Sequence, residues 1–179
     1  MKHQSILAAA SMMLLGSIIT TAAGPQAQAT VAKAPPQVLA KNVGDLTPEE
    51  EQQFSDAAEA TIERVCIACH PFEAMTKTRR TVREWSDQVT TMAQRGAPGT
   101  EPDFALVKKY LTRYYGIVRV NTATAEELSA VLGLPPKVAA AVVEYRTAHG
   151  RFADLAGLSK VEGVDKAKLE EQPEALRFD

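Results

Sequence analysis

The chain has 179 residues, a net charge of −2, and 45% hydrophobic against 23% charged residues. That length allows one ordinary domain or two very small ones, and the composition is that of a folded globular protein rather than a disordered one. The mild acidic excess argues against a dedicated binder of nucleic acid or anionic membrane, because both usually carry a basic surplus.

The chain opens on an export pattern. Lys2 and His3 precede an uncharged apolar run from Ile6 to Ala23, and Ala27-Gln28-Ala29 is a small-x-small cleavage site. This order predicts a signal peptide over 1–29 and a periplasmic protein, with no stable membrane insertion after cleavage. An uncleaved anchor is the competing reading, and the run is barely long enough to span. Residues 30–45 hold Pro35, Pro36 and small residues without a period, and read as a flexible leader.

Order is expected from 46 onward. Thr47-Pro48-Glu49-Glu50 is a capping box with proline in the first turn. The helix it starts carries Phe54, Ala57, Ala58, Ile62 and Val65 at helical spacing and runs into Cys66. A second box, Thr81 to Glu84, starts a helix with a stripe of Trp85, Val89 and Met92 that stops near Gly96 and Pro98. A third helix is predicted from about Asp103 to Tyr115, with Phe104, Val107, Leu111 and Tyr114 on one face and Gly116 as its stop.

Between the first two helices lies Cys66-Ile67-Ala68-Cys69-His70. This Cys-x-x-Cys-His spacing suits two thioether bonds to one porphyrin, with the histidine beneath the iron. It predicts one covalent haem c held by Cys66, Cys69 and His70 over a domain of residues 46–116. A zinc half-site would want a second ligand pair, and a thioredoxin-like dithiol would want alternating strands and helices. For the second axial position the donors are Met75, Met92 and His149. Met92 shares a face with Trp85, and core filling is its alternative. Arg79 and Arg80 are candidate partners of the haem propionates, or a solvated basic pair.

The stretch from Cys66 to Gly116 resembles the small monohaem cytochrome modules of periplasmic dehydrogenases. The likeness rests on the haem motif, Arg79-Arg80-Thr81, Trp85, Met92, Gly96-Ala97 and Tyr110-Leu111 through Tyr114-Tyr115-Gly116. The resemblance implies Met92 as distal ligand, a cofactor site including Trp85, and a non-enzymatic electron carrier served by a dehydrogenase.

Residues 117–179 have a different grain. Thr124 to Glu127 is another capping box, a Gly133-Leu134-Pro135-Pro136 turn leads to a helix bearing Val138, Val142 and Tyr145, and the pattern recurs more briefly around Gly163. Val120 to Leu169 resembles the tandem helix-hairpin-helix domain of the competence DNA-uptake family. The resemblance implies an all-α chain: a small cytochrome c-like helical domain followed by a tandem helix-hairpin-helix domain. DNA-binding hairpins usually offer glycine, an apolar residue and glycine, so that backbone N–H groups approach a phosphate. Pro135 has no N–H, and Asp165 sets a carboxylate where a phosphate would sit. From Arg119 to Asp179 there are eight Lys and Arg against ten Asp and Glu. DNA is therefore not expected as a partner, and the module is expected to dock or brace the haem domain. The alternatives are a haem protein with an open iron site, as gas sensor or small redox enzyme, and a DNA-binding helix-hairpin-helix protein.

Overall fold

Four Thr-x-x-acid sequences start four of the helices in the computed structural model, which describes residues 36–179. At Thr47, Thr81, Thr100 and Thr124 the threonine hydroxyl accepts from the backbone N–H three residues on, and that residue's carboxylate accepts from the threonine N–H. Each box satisfies two N–H groups that a helix start leaves without partners. The expected signal peptide and the first residues of the expected leader lie outside the described residues.

The helices are α1 (Pro36–Ala40), α2 (Pro48–Val65), α3 (Phe72–Thr76), α4 (Val82–Gln94), α5 (Glu101–Tyr115), α6 (Ala125–Leu132), α7 (Pro136–His149), α8 (Leu155–Leu158) and α9 (Lys166–Glu170). Among the described residues the one sheet is a parallel pair of two-residue strands, β1 (Val118–Arg119) and β2 (Leu176–Arg177), in the register Val118 to Leu176. The fold is all-α apart from this pair. No helix among the described residues is long and apolar enough to cross a membrane.

Two apolar cores organise the packing. The first gathers Phe54, Ala58, Ile62 and Val65 of α2, Trp85 and Val89 of α4, and Phe104, Val107, Tyr110 and Leu111 of α5. The second gathers Val118, Val120, Leu128, Val131, Leu134, Val142, Phe152, Leu158, Val161, Leu169 and Leu176. Each large aliphatic or aromatic side chain so buried contributes roughly 1.5–3 kcal/mol.

Part of the expected leader is ordered. Val38 and Val43 are buried in the first core, and Lys109 Nζ donates to the carbonyls of Leu39 and Lys41. A Cβ on Gly44 would meet the Leu134 carbonyl oxygen at 2.0 Å, so glycine alone lets this strap lie against the first hairpin turn.

The two cores meet at a dense polar joint. Arg80 N–H donates to Tyr115 O, and Ile117 N–H donates to Arg80 O at 2.9 Å. The Arg79 guanidinium donates to Tyr114 O and Gly116 O and pairs with Glu174. From α5, Arg113 donates to Gln172 Oε1 at 2.9 Å and pairs with Glu51 at 3.2 Å.

Candidate nucleic-acid interface

The first hairpin is shaped by Gly133 and its neighbours. Gly133 ends α6 in the left-handed region, φ 67° and ψ 26°, and its N–H donates to Ser129 O at 3.0 Å. Ser129 Oγ then donates to Leu134 O at 2.7 Å, which closes the turn from inside. Leu134 is buried, and the chain passes through Pro135 into the first turn of α7. Lys137 stands exposed in that turn, and its N–H has no partner within the helix. The second hairpin joins α8 to α9 through Gly163, at φ 87°. Asp165 caps α9, accepting from the N–H groups of Ala167 and Lys168 at 3.1 and 3.3 Å. A Cβ on Gly163 would come within 2.8 Å of Val138 Cγ2, so the second turn adjoins the start of α7.

The basic side chains divide by what they already hold. Arg146 donates to Val120 O and Ala123 O, both at 2.6 Å, and so ties α7 to the loop before α6. Arg119 pairs with Asp179, and Arg177 donates to Glu174 O and Leu176 O. Arg146 thus braces the module from within, whereas Arg119 and Arg177 are themselves exposed and bond to Asp179 and to neighbouring carbonyls. Lys137, Arg151, Lys160, Lys166 and Lys168 are exposed. Lys166 alone of these five forms an ion pair among the described residues, with Glu170 at 3.2 Å along the same helix, and exposed pairs of that kind hold their charges weakly. Four of the five thus belong to the two turns and the helices they start. They were not singled out from the sequence; their positions at the hairpins were visible, but which basic groups are consumed internally depends on the fold.

The residues expected to hold haem are distributed differently. Cys66 ends α2, half-buried against the first core, and burial pushes its thiol pKa up. Cys69 is exposed, and both are free thiols. His70 is half-buried, with Nδ1 3.4 Å from Pro71 O. Met92 lies near the end of α4, half-buried, while Trp85 and Val89 of its stripe are buried in the core. Trp85 Nε1 donates to Tyr115 O at 2.9 Å, and the Arg80 guanidinium lies 4.8 Å from the centre of its ring. Arg80 also donates to the carbonyls of Met75 and Thr78. Arg79, Arg80 and Trp85 are therefore engaged in the joint, through carbonyls and Glu174.

Comparison with known proteins locates the likeness in the second half. The helix-hairpin-helix motif family matches residues 115–177. ComE operon protein 1 of Bacillus subtilis (strain 168) is 39% identical over 54 residues, which is 30% of this chain and 26% of that protein. An uncharacterized protein of Haemophilus influenzae is 40% identical over 62 residues, 34% of this chain and 55% of that protein. Endonuclease/exonuclease/phosphatase family domain-containing protein 1 of Homo sapiens is 38% identical over 53 residues, 30% of this chain and 9% of that protein. The chain thus spans about a quarter and about half of the first two relatives. No solved structure matches.

These findings correct the expected function. The relatives share a helix-hairpin-helix module and give a cytochrome module no support. Among the described residues no group of three or more His, Cys, Asp or Glu side chains stands where it could hold a metal ion. The expected electron carrier, its covalent haem c and its dehydrogenase partner are corrected accordingly. The expectation that DNA is not a partner is corrected with them, because the likeness falls on the helix-hairpin-helix module, whose hairpin lysines other than Lys166 form no ion pair among the described residues. Residues 115–177 are a helix-hairpin-helix module.

Proposed function

We propose that this is an exported, non-catalytic protein whose helix-hairpin-helix module binds the backbone of duplex DNA without sequence preference. The observation that carries the reading is the adjoining of the two hairpin turns at Gly163 and Val138, with Lys137, Lys160, Lys166 and Lys168 exposed on those turns and the helices they start. The likeness to the competence DNA-uptake family and to ComE operon protein 1 supports the same reading.

The chemistry differs from a hairpin that grips phosphate through successive backbone N–H groups. Pro135 and Pro136 bring none, and the N–H groups at the start of α9 are taken by Asp165. Contact therefore falls on the lysine side chains and on the Lys137 N–H. Lysine neutralises phosphate as a point charge and reads no base, so binding is indifferent to sequence and strongly dependent on salt. With Glu162, Asp165, Glu170 and Glu171 nearby in the chain, affinity belongs in the non-specific range of about 10⁻⁴–10⁻⁶ M at physiological salt.

The test is fluorescence anisotropy of a labelled duplex against the full chain across a salt series. Binding should weaken log-linearly with salt, and each of Lys137→Ala and Lys160→Ala should lower the slope by about 0.9. A titration with no binding at about 50 mM salt, or lysine variants indistinguishable from wild type, would remove the proposal.

A further inference from the structure

We propose that Cys66 and Cys69 form an intramolecular disulfide in the mature protein. The two cysteines bracket a four-residue turn in which Cys69 N–H lies 3.5 Å from Cys66 O. A turn closed between residues i and i+3 brings their Cα atoms within about 7 Å. Disulfides span Cα separations of about 4.4–6.8 Å, so the bridge needs little more than side-chain rotation. Both thiols are free, and neither takes part in the hairpin surface. The export pattern at the start of the chain implies an oxidising compartment, where such a pair persists as a disulfide.

The unequal exposure of the two thiols sets the order of the chemistry. Cys69 is exposed and Cys66 is half-buried against Val65 and the first core. With oxidised glutathione as oxidant, the Cys69 thiolate attacks one glutathione sulfur. The glutathione S–S bond breaks, and the first glutathione leaves as a thiol, taking a proton. Cys66 then attacks the Cys69 sulfur of the mixed disulfide and releases the second glutathione. Two cysteine S–H bonds are exchanged for one S–S bond, and one glutathione disulfide is reduced to two thiols. The closed ring would fix the exit of α2, hold Ile67 at its 37% exposure, and anchor the approach to Phe72, which packs on Tyr115 with ring centroids 5.4 Å apart.

The experiment is thiol counting on full-length protein recovered from an oxidising compartment without reductant. The protein is denatured, labelled with N-ethylmaleimide before and after reduction, and weighed intact by mass spectrometry. The expected result is no label before reduction, two labels after it, and an oxidised protein lighter than the reduced one by two hydrogens. Cys69→Ser, a change at an exposed position, should take one label without reduction. Its melting temperature should match that of reduced wild type and fall below that of oxidised wild type. Two labels on unreduced wild type would overturn the proposal. So would a mass gain on both cysteines, showing that they hold an attached group, or a disulfide joining two chains. None of these readings depends on whether the hairpins bind DNA.

Discussion

Replacing Gly133 by alanine tests the joint and the hairpin together. Gly133 sits at φ 67°, and a left-handed conformation costs an L-residue about 1–2 kcal/mol. Alanine also stiffens the unfolded chain, which returns roughly 0.4–1 kcal/mol and leaves a backbone cost near 1 kcal/mol. The new Cβ would stand 3.1 Å from Cζ, Nε and Nη2 of Arg113. That guanidinium cannot swing away freely, because it holds Gln172, Glu51 and the Val131 carbonyl and its side chain is only 17% exposed. Losing one such charged hydrogen bond costs about 1.5–3 kcal/mol, so the whole substitution should cost about 2–4 kcal/mol. Urea denaturation of the full chain, followed by far-ultraviolet circular dichroism, should show the midpoint fall with an unchanged slope. In an Arg113→Leu background the same substitution should cost only the backbone part, about 1 kcal/mol. Equal costs in the two backgrounds, or a cost below about 0.5 kcal/mol in wild type, would refute the argument that the guanidinium braces the turn.

Two further outcomes follow from single side chains. Asn121 Nδ2 donates to Phe152 O and Phe178 O at 3.0 and 2.8 Å, and its Oδ1 accepts from Phe152 N–H at 2.8 Å. Asn121→Ala should therefore cost about 3 kcal/mol at roughly 1 kcal/mol per bond, read by the same denaturation assay, and a loss under about 1 kcal/mol would deny that this residue holds the module closed. The backbone and hydroxyl of Thr100, and then Arg64, hold the Asp103 carboxyl down to about 2. A depressed carboxyl pKa adds stability above the unfolded value of about 3.9 and loses it as pH falls through the folded value. Asp103→Asn should thus be less stable than wild type at pH 7, and the gap should close between about pH 4 and pH 2; a gap that persists at pH 2 would contradict the assignment.

Three of the four capped helix starts were legible because threonine and glutamate stand three apart before an apolar stripe. The Thr100 start was missed by about two residues, since its partner is Asp103 rather than Glu or Gln and Pro102 intervenes. The helices α1 and α3 have five residues each, too few to display a period. The β1–β2 pair has two residues on each side, and its partners are 58 positions apart in the register Val118 to Leu176, which no local pattern can encode. The tandem hairpins were legible from Gly133 and Gly163 and their flanking apolar residues. Their lysines were hidden by simple charge counting, because the net charge weighs Arg119, Arg146 and Arg177 equally with Lys137 and Lys160. Only the fold separates groups that hold carbonyls and the Asp179 side chain from groups without such partners among the described residues. Met92 illustrates the converse: its spacing from Trp85 is right for one helix face, but packing thins toward the end of α4 and leaves it half-buried.

The small parallel strand pair has a consequence for how such a module travels between proteins. The family match covers residues 115–177, and β1 and β2 stand near its two ends, side by side. A segment whose entry and exit leave at the same place can be spliced into a host chain without forcing the host's flanking segments apart. The alignments to two relatives span 62 residues, 55% of the one, and 53 residues, 9% of the other. Adjacent ends suit both settings, because a host chain has to accommodate only a doorway two residues wide.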